Sequence, residues 1–116
     1  MSEPLTPPVL FKALADDTRA RLCALLVDNL ELCVCELTDA LSLSQPKISR
    51  HLALLRKLNV LMDERRGQWV YYRLHPDLPG WAGEVIRQAA HSQPHWLEAE
   101  RARLAGAADA CCEPRR

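Results

Sequence analysis

Ser42-Leu43-Ser44-Gln45-Pro46-Lys47-Ile48-Ser49-Arg50-His51-Leu52 is the stretch that decides the fold. Ser42-Leu43-Ser44 reads as a turn, and the Ser44 side chain can cap the free N–H groups of a following helix. Pro46 falls in the first turn of that helix, where no intrahelical N–H is required. Ile48, Leu52 and Leu55 recur at i, i+4 and i+7 and form a stripe to be buried. Gln45, Lys47, Ser49 and Arg50 lie off that stripe or at the exposed N-terminal end. Upstream, a shorter helix should begin near Cys33 to Cys35 and end around Leu41, with Leu37 and Leu41 as an i, i+4 pair. Downstream, the period changes. Asp63 to Gln68 reads as a glycine-containing turn, and Trp69 to Leu74 is aromatic and β-branched, a strand. Val60-Leu61-Met62 supplies the other arm of a hairpin. Two helices, a sharp turn and a following hairpin predict a winged helix-turn-helix, mainly α with a small β-hairpin (α+β).

Outward from this unit the chain is helical. Residues 1–8 carry three prolines and read as an irregular arm. A helix is expected from about Pro8 to Ala15, with Val9, Leu10, Phe11 and Leu14 offering apolar surface. Asp16, Asp17 and Thr18 start the next helix, where acidic groups suit the N-terminal dipole. It runs to about Asn29 with Leu22, Leu25, Leu26 and Leu30 as its stripe. Beyond Pro76 and Pro79 come a helix from about Gly80 to His91 and, after Pro94, a helical stretch from Trp96 to Leu104. Residues 1–105 are expected to form one DNA-binding and dimerisation domain. Residues 106–116 read as a flexible tail carrying Cys111 and Cys112.

The chain has 116 residues and no net formal charge, which at first argues against a nucleic-acid partner. The distribution argues for one. From Ser44 to Arg73 there are seven basic residues against two acidic ones, a basic block on an acidic body. A solvated basic face is the plainer reading of such a block. The longest apolar run, Leu22 to Val27, is far shorter than the ~20 residues that span a bilayer. The start of the chain shows no basic region followed by an apolar run, so no signal peptide is expected and the cytosol is the expected location. Thiols stay reduced there. Five cysteines cannot all pair internally, which favours reactive or ligand-binding thiols over a disulfide framework.

Two of those thiols stand in Glu31-Leu32-Cys33-Val34-Cys35-Glu36-Leu37, directly before the helix-turn-helix. Thiolates suit a soft, thiophilic ion or a redox event, and a helix start favours the thiolate. In a regular helix, residues i and i+2 point about 200° apart. Chelation by Cys33 and Cys35 would then distort the third helix, less so at its start. Two buried core cysteines are the bland alternative. Cys111 and Cys112 could supply a further ligand or be an incidental tail. Cys23 flanks the stripe of the second helix and reads as a core or interface residue. His91 and His95, four apart, could hold zinc on a continuous helix, but Pro94 intervenes. A small thiol oxidoreductase is not expected, since the spacing is Cys-x-Cys and no βαβ pattern surrounds it. No hydrolytic constellation is evident, so the chain does not read as an enzyme.

Leu14-Ala15-Asp16-Asp17-Thr18-Arg19, Ser44 to Leu52, Gly67 to Leu74 and the Glu31–Leu37 heptapeptide together resemble the ArsR/SmtB family of bacterial metal-responsive repressors. Asp17 stands where proline is common. The resemblance implies a homodimer that binds double-stranded operator DNA and leaves it when arsenite or antimonite, As(III) or Sb(III), binds its thiols. No cofactor is then required. Gln45, Lys47, Ser49 and Arg50 would enter the major groove, with His51 in support. Arg65, Arg66 and Gln68 would reach backbone or minor groove from the wing. Cys33 and Cys35 would hold the metalloid. The arsenic signature Cys-x-Cys-x-x-Cys places a third thiol where this chain has Thr38, so a third ligand would come from Cys23, Cys111, Cys112 or a small external thiol. Two thiols alone suit a monomethylated trivalent arsenical. A redox repressor, its thiols oxidised to a disulfide or sulfenic acid, is the competing input. The Asp-x-His pattern of the family's zinc site is missing near His91. The first helix and the segment from Gly80 onward are expected to build the dimer.

Overall fold

Ile48, Leu52 and Leu55 are fully buried in a computed structural model that describes residues 4–107. They lie on α4 (Gln45–Lys57), whose Ser44 Oγ accepts from the Lys47 N–H at 3.4 Å. Removing each such side chain from water is worth about 2 kcal/mol, so this stripe anchors α4 with its polar face outward. The preceding α3 (Val34–Leu41) ends at Ser42, whose φ of 54° makes the sharp turn. The α3 residues Leu37 and Ala40 join the same core as Leu22, Leu25 and Leu26 of α2 (Asp17–Asp28). Asp16 caps α2, its Oδ2 accepting from the Arg19 N–H at 3.1 Å. The α1 helix (Pro7–Leu14) buries Leu10 and Ala13 and leaves Phe11 55% exposed.

Leu30 departs from its expected place in the α2 stripe: it is 87% exposed. The helix stops at Asp28, and Asn29 turns extended (φ −123°, ψ 118°) while its amide donates to the Leu25 carbonyl at 2.8 Å. Leu30 therefore lies beyond the helix and off its apolar face.

The wing is longer than expected. β2 spans Leu61–Arg66 and β3 spans Trp69–Leu74, so Asp63 to Arg66 is strand and not turn. The pairing runs from Leu61 opposite Leu74 to Arg66 opposite Trp69, leaving Gly67-Gln68 as a two-residue turn. Gly67 adopts φ 60°, and only glycine does so at no steric cost at the first turn position of a type II′ hairpin. Four consecutive charged residues have poor β-propensity; cross-strand pairing with β3 outweighs it. A short third strand, β1 (Leu32–Cys33), pairs antiparallel with β3 and makes the sheet order β1-β3-β2.

α5 (Gly80–Ala90) buries Ala82, Ile86 and Ala90. α6 covers Glu98–Ala107, starting two residues later than expected and running past the boundary drawn at residue 105. It lies against α3, with Arg103 Nη1 donating to the Ala40 carbonyl at 2.7 Å. Arg21, braced by Asp17 within α2 (2.9 Å), ties that helix to this region through Glu100 (3.0 Å) and the Trp96 carbonyl (2.9 Å). Cys111 and Cys112 lie outside the described residues. Among the described residues, no helix is long and apolar enough to cross a membrane.

Candidate functional site

Cys33 ends β1 and is also the N-cap of α3, with extended backbone (φ −83°, ψ 162°). Cys35 sits in the first turn of α3. The pair therefore does not follow helical geometry, and the 200° divergence expected for i and i+2 does not arise. The two Sγ atoms lie 2.8 Å apart. The two thiols thus converge with α3 fully wound. Glu36 fixes the corner: its Oε1 accepts from the Cys33 N–H at 3.0 Å, and its side chain is 1% exposed. Cys33 is likewise 1% exposed, packed with Tyr71, Trp69 and the half-buried Cys35. Of the acids flanking the thiols, Glu36 folds inward as a cap.

The other candidate ligands are dispersed. Cys23 is enclosed in the main core among the leucines of α2, and burial pushes its thiol up to about 12. A buried neutral thiol is a poor donor to a soft ion. Thr38 lines a shallow pocket with Cys35, and its hydroxyl donates to the Val34 carbonyl at 2.7 Å. His91 follows the end of α5 and pairs with Asp28 at 3.1 Å, whereas His95 pairs with Glu98 at 2.6 Å. Among the described residues, no three His, Cys, Asp or Glu side chains cluster as a metal site.

Gln45, Lys47, Ser49 and Arg50 are exposed on the N-terminal half of α4. Across from them, Arg65 and Gln68 are exposed on the wing. An open cleft of about 490 Å³ lies between, lined by Gln45, Ser49, Arg65 and Gln68 and, from the thiol segment, by Cys33 and Cys35. The structure thus brings together the two groups of residues that the sequence placed in separate motifs.

Two predicted DNA residues are engaged by other side chains of the fold. His51 turns back onto the start of α2. Its Nδ1 is 3.3 Å from Arg19 Nη1 and 3.9 Å from Asp16 Oδ2. Arg19 also donates through Nε to the Ala13 carbonyl at 2.8 Å, so this trio joins α1, α2 and α4. Burial lowers the His51 pKa from 6.5, with Asp16 opposing the shift and Arg19 adding to it. The folded protein therefore holds His51 neutral, accepting from Arg19. Because the unfolded chain binds the proton more readily, this contribution is complete above about pH 6.5 and is lost as pH falls through the depressed folded value. The thermal stability of wild type should fall on acidification through that window more steeply than that of His51→Gln. Equal slopes would remove His51 from the pH response.

Arg66 is the second. Its guanidinium forks onto Glu31 with two 2.6 Å bonds, reaches Glu64 at 3.1 Å and stacks 4.4 Å from the Tyr71 ring centroid. Hydrogen bonds donated to these carboxylates, Glu31 first, raise its pKa. The guanidinium is thus shared between two carboxylates. Glu31, Tyr71, Asp16 and Arg19 were not singled out as site residues from sequence. Their roles depend on strand register and on helix docking, which spacing along the chain does not reveal.

Residues 16–62 match the family described as bacterial regulatory protein, arsR family. The chain is 58% identical over 105 residues to an arsenic resistance transcriptional regulator of Pseudomonas putida, covering 90% of this chain and 82% of that protein. It is 50% identical over 95 residues to an arsenical resistance operon repressor of Escherichia coli, covering 82% of this chain and 81% of that one. Among solved structures, the AntR antimony-specific transcriptional repressor superposes with a TM-score of 0.60 at 32% identity, over 68% of each chain. The winged helix-turn-helix, its residue pattern and these relatives agree: the chain belongs to the arsR family of bacterial regulatory proteins.

Proposed function

We propose that this chain is a homodimeric, cytosolic transcriptional repressor that binds operator DNA and is released when trivalent arsenic or antimony bonds to Cys33 and Cys35. One observation carries the reading. The converging thiols line the same cleft as Gln45 and Ser49 of α4 and Arg65 and Gln68 of the wing. The relatives' named roles in arsenic resistance and antimony response support the inducer class. Exposed apolar side chains on α1 and α5, Phe11 and Trp81, support a second copy as partner. In this reading the chain has no catalytic role and needs no cofactor.

Each thiol displaces one hydroxyl of the metalloid: an S–As bond forms, an As–O bond breaks, and the thiol proton leaves as water. Two such exchanges bridge Cys33 and Cys35. The remaining valence keeps its hydroxyl or takes a further thiol, with Cys111 and Cys112 as candidates from the tail; a monomethylated arsenical fills it with carbon. Cys33 is packed against Tyr71 and Trp69, and Trp69 also lines the cleft, so an added atom there must move a side chain of the cleft. Release requires only that the inducer favour the DNA-weak arrangement, and a coupling of ~1–3 kcal/mol is typical.

The proximity of the two sulfurs also favours a second input. Peroxide could take two electrons and two protons from the pair, leaving a disulfide and water. Anisotropy of a labelled duplex from upstream of the chain's own gene separates the two. Arsenite and antimonite should release reduced protein, and zinc should not. Release by peroxide alone, reversed by reductant, with no response to arsenite would establish the redox input instead.

A further inference from the structure

Arg66 closes a ring of contacts between the wing and the thiols. It stands at the end of β2, one residue from the hairpin turn. Its fork holds Glu31, which directly precedes β1 and lies two residues before Cys33. Its face rests on Tyr71 of β3, the residue paired opposite both Cys33 and Glu64. Tyr71 in turn packs on Cys33. A ligand on Cys33 therefore presses on the ring beneath the guanidinium and on the short strand that directly follows its carboxylate partner.

We infer that the Glu31–Arg66–Tyr71 cluster is a latch that sets the wing in its DNA-binding position and passes thiol occupancy to it, so that Arg66 is a positioning residue and not a phosphate contact. With the latch closed, two carboxylates and a ring hold the guanidinium in place, and β2 is tied to the residue that leads into β1. When a ligand displaces Tyr71 or shifts β1, the fork loses its geometry and the wing is no longer fixed beside α4. A bidentate arginine suits this role because both bonds must be aligned at once; a lysine point charge cannot reproduce them.

The signs of the expected effects are unusual. Glu31→Gln removes a negative charge near the DNA-binding face, and simple electrostatics predicts tighter DNA binding. The latch predicts the opposite: ligand-free operator affinity falls roughly tenfold, within the range typical of coupled sites. Arg66→Lys keeps the charge and should fall equally, and the double variant should be no weaker than either single one. Phenylarsine oxide, which takes two thiolates, is the probe for transmission. The affinity loss it causes should shrink in both variants, while its binding to the free proteins and their thermal midpoints stay near wild type.

The role of phosphate contact makes a different set of predictions. Arg66→Lys would then match wild type, Arg66→Gln would reduce the salt slope by about 1, and Glu31→Gln would bind as well or better. That pattern, or undiminished release in the variants, would overturn the latch. Because the transmitting role presupposes thiol-gated release, a wild-type complex that ignores phenylarsine oxide overturns both. The ligand-free affinities still decide whether the cluster positions the wing.

Discussion

Cys33→Ser and Cys35→Ser proteins are expected to bind operator within about twofold of wild type and to stay bound at arsenite concentrations that empty the wild-type complex. The full coupling, on the order of 5–150-fold in affinity, should disappear in either single variant. A hydroxyl is a hard, weak partner for a soft metalloid, and one remaining thiolate cannot chelate. The structure also separates loss of response from loss of fold. Cys33 is the N-cap of α3, with Glu36 three residues on and bonded back to its N–H. Serine is a preferred N-cap, and Ser-x-x-Glu is a capping box. Cys33→Ser should therefore keep α3 intact, with thermal stability equal to wild type or higher by about 0.5–1 kcal/mol. Operator anisotropy with and without arsenite, beside a thermal melt, checks both halves. A Cys33→Ser protein that still releases would move the inducer site elsewhere.

Thr38→Cys is expected to act in the other direction. Thr38 lies one turn after Cys35 and shares its pocket. Its present hydrogen bond goes to the Val34 carbonyl, a local bond that the helix can lose at little cost. A thiol there would offer a third sulfur beside the pair. Arsenite bonds to three sulfurs, and the third encounter would be intramolecular, so the arsenite needed for half-release should fall by about tenfold or more. Phenylarsine oxide, with only two exchangeable valences, should release Thr38→Cys and wild type at the same concentration. A drop for both probes would point to a looser helix and not to a third bond. No change for either would mean that the tail or a small thiol already completes the site.

The reading of α4 from sequence rests on signals that act locally. A serine cap, a proline in the first turn and a leucine stripe mean the same thing in any context, and all three hold in the structure. The wing was legible in kind but not in extent. Asp63 to Arg66 became strand because β3 offers them partners, and a pairing across the hairpin is not a property of those four residues. β1 was missed for the same reason, being two residues long and defined by its ladder. That small strand decides the site. It gives Cys33 an extended backbone and turns two thiols that a helix would separate toward each other. Arg66 and His51 were assigned to DNA by position within their motifs. Their partners, Glu31 and the Asp16–Arg19 pair, lie more than 30 residues away along the chain, and only folding brings them near. The exposed residues Gln45, Lys47, Ser49 and Arg50 needed no such information, since the α4 stripe alone fixes which way they face.

The most direct test follows two quantities in one titration. Reduced, operator-bound protein is titrated with arsenite while anisotropy reports DNA release and a thiol reagent counts the cysteines still free in wild type and in Cys33→Ser/Cys35→Ser. Release should track the loss of the Cys33 and Cys35 thiols, with one arsenic per chain, and the double variant should show neither change. DNA that leaves while those thiols remain free, or stays bound after both are occupied, would contradict the account.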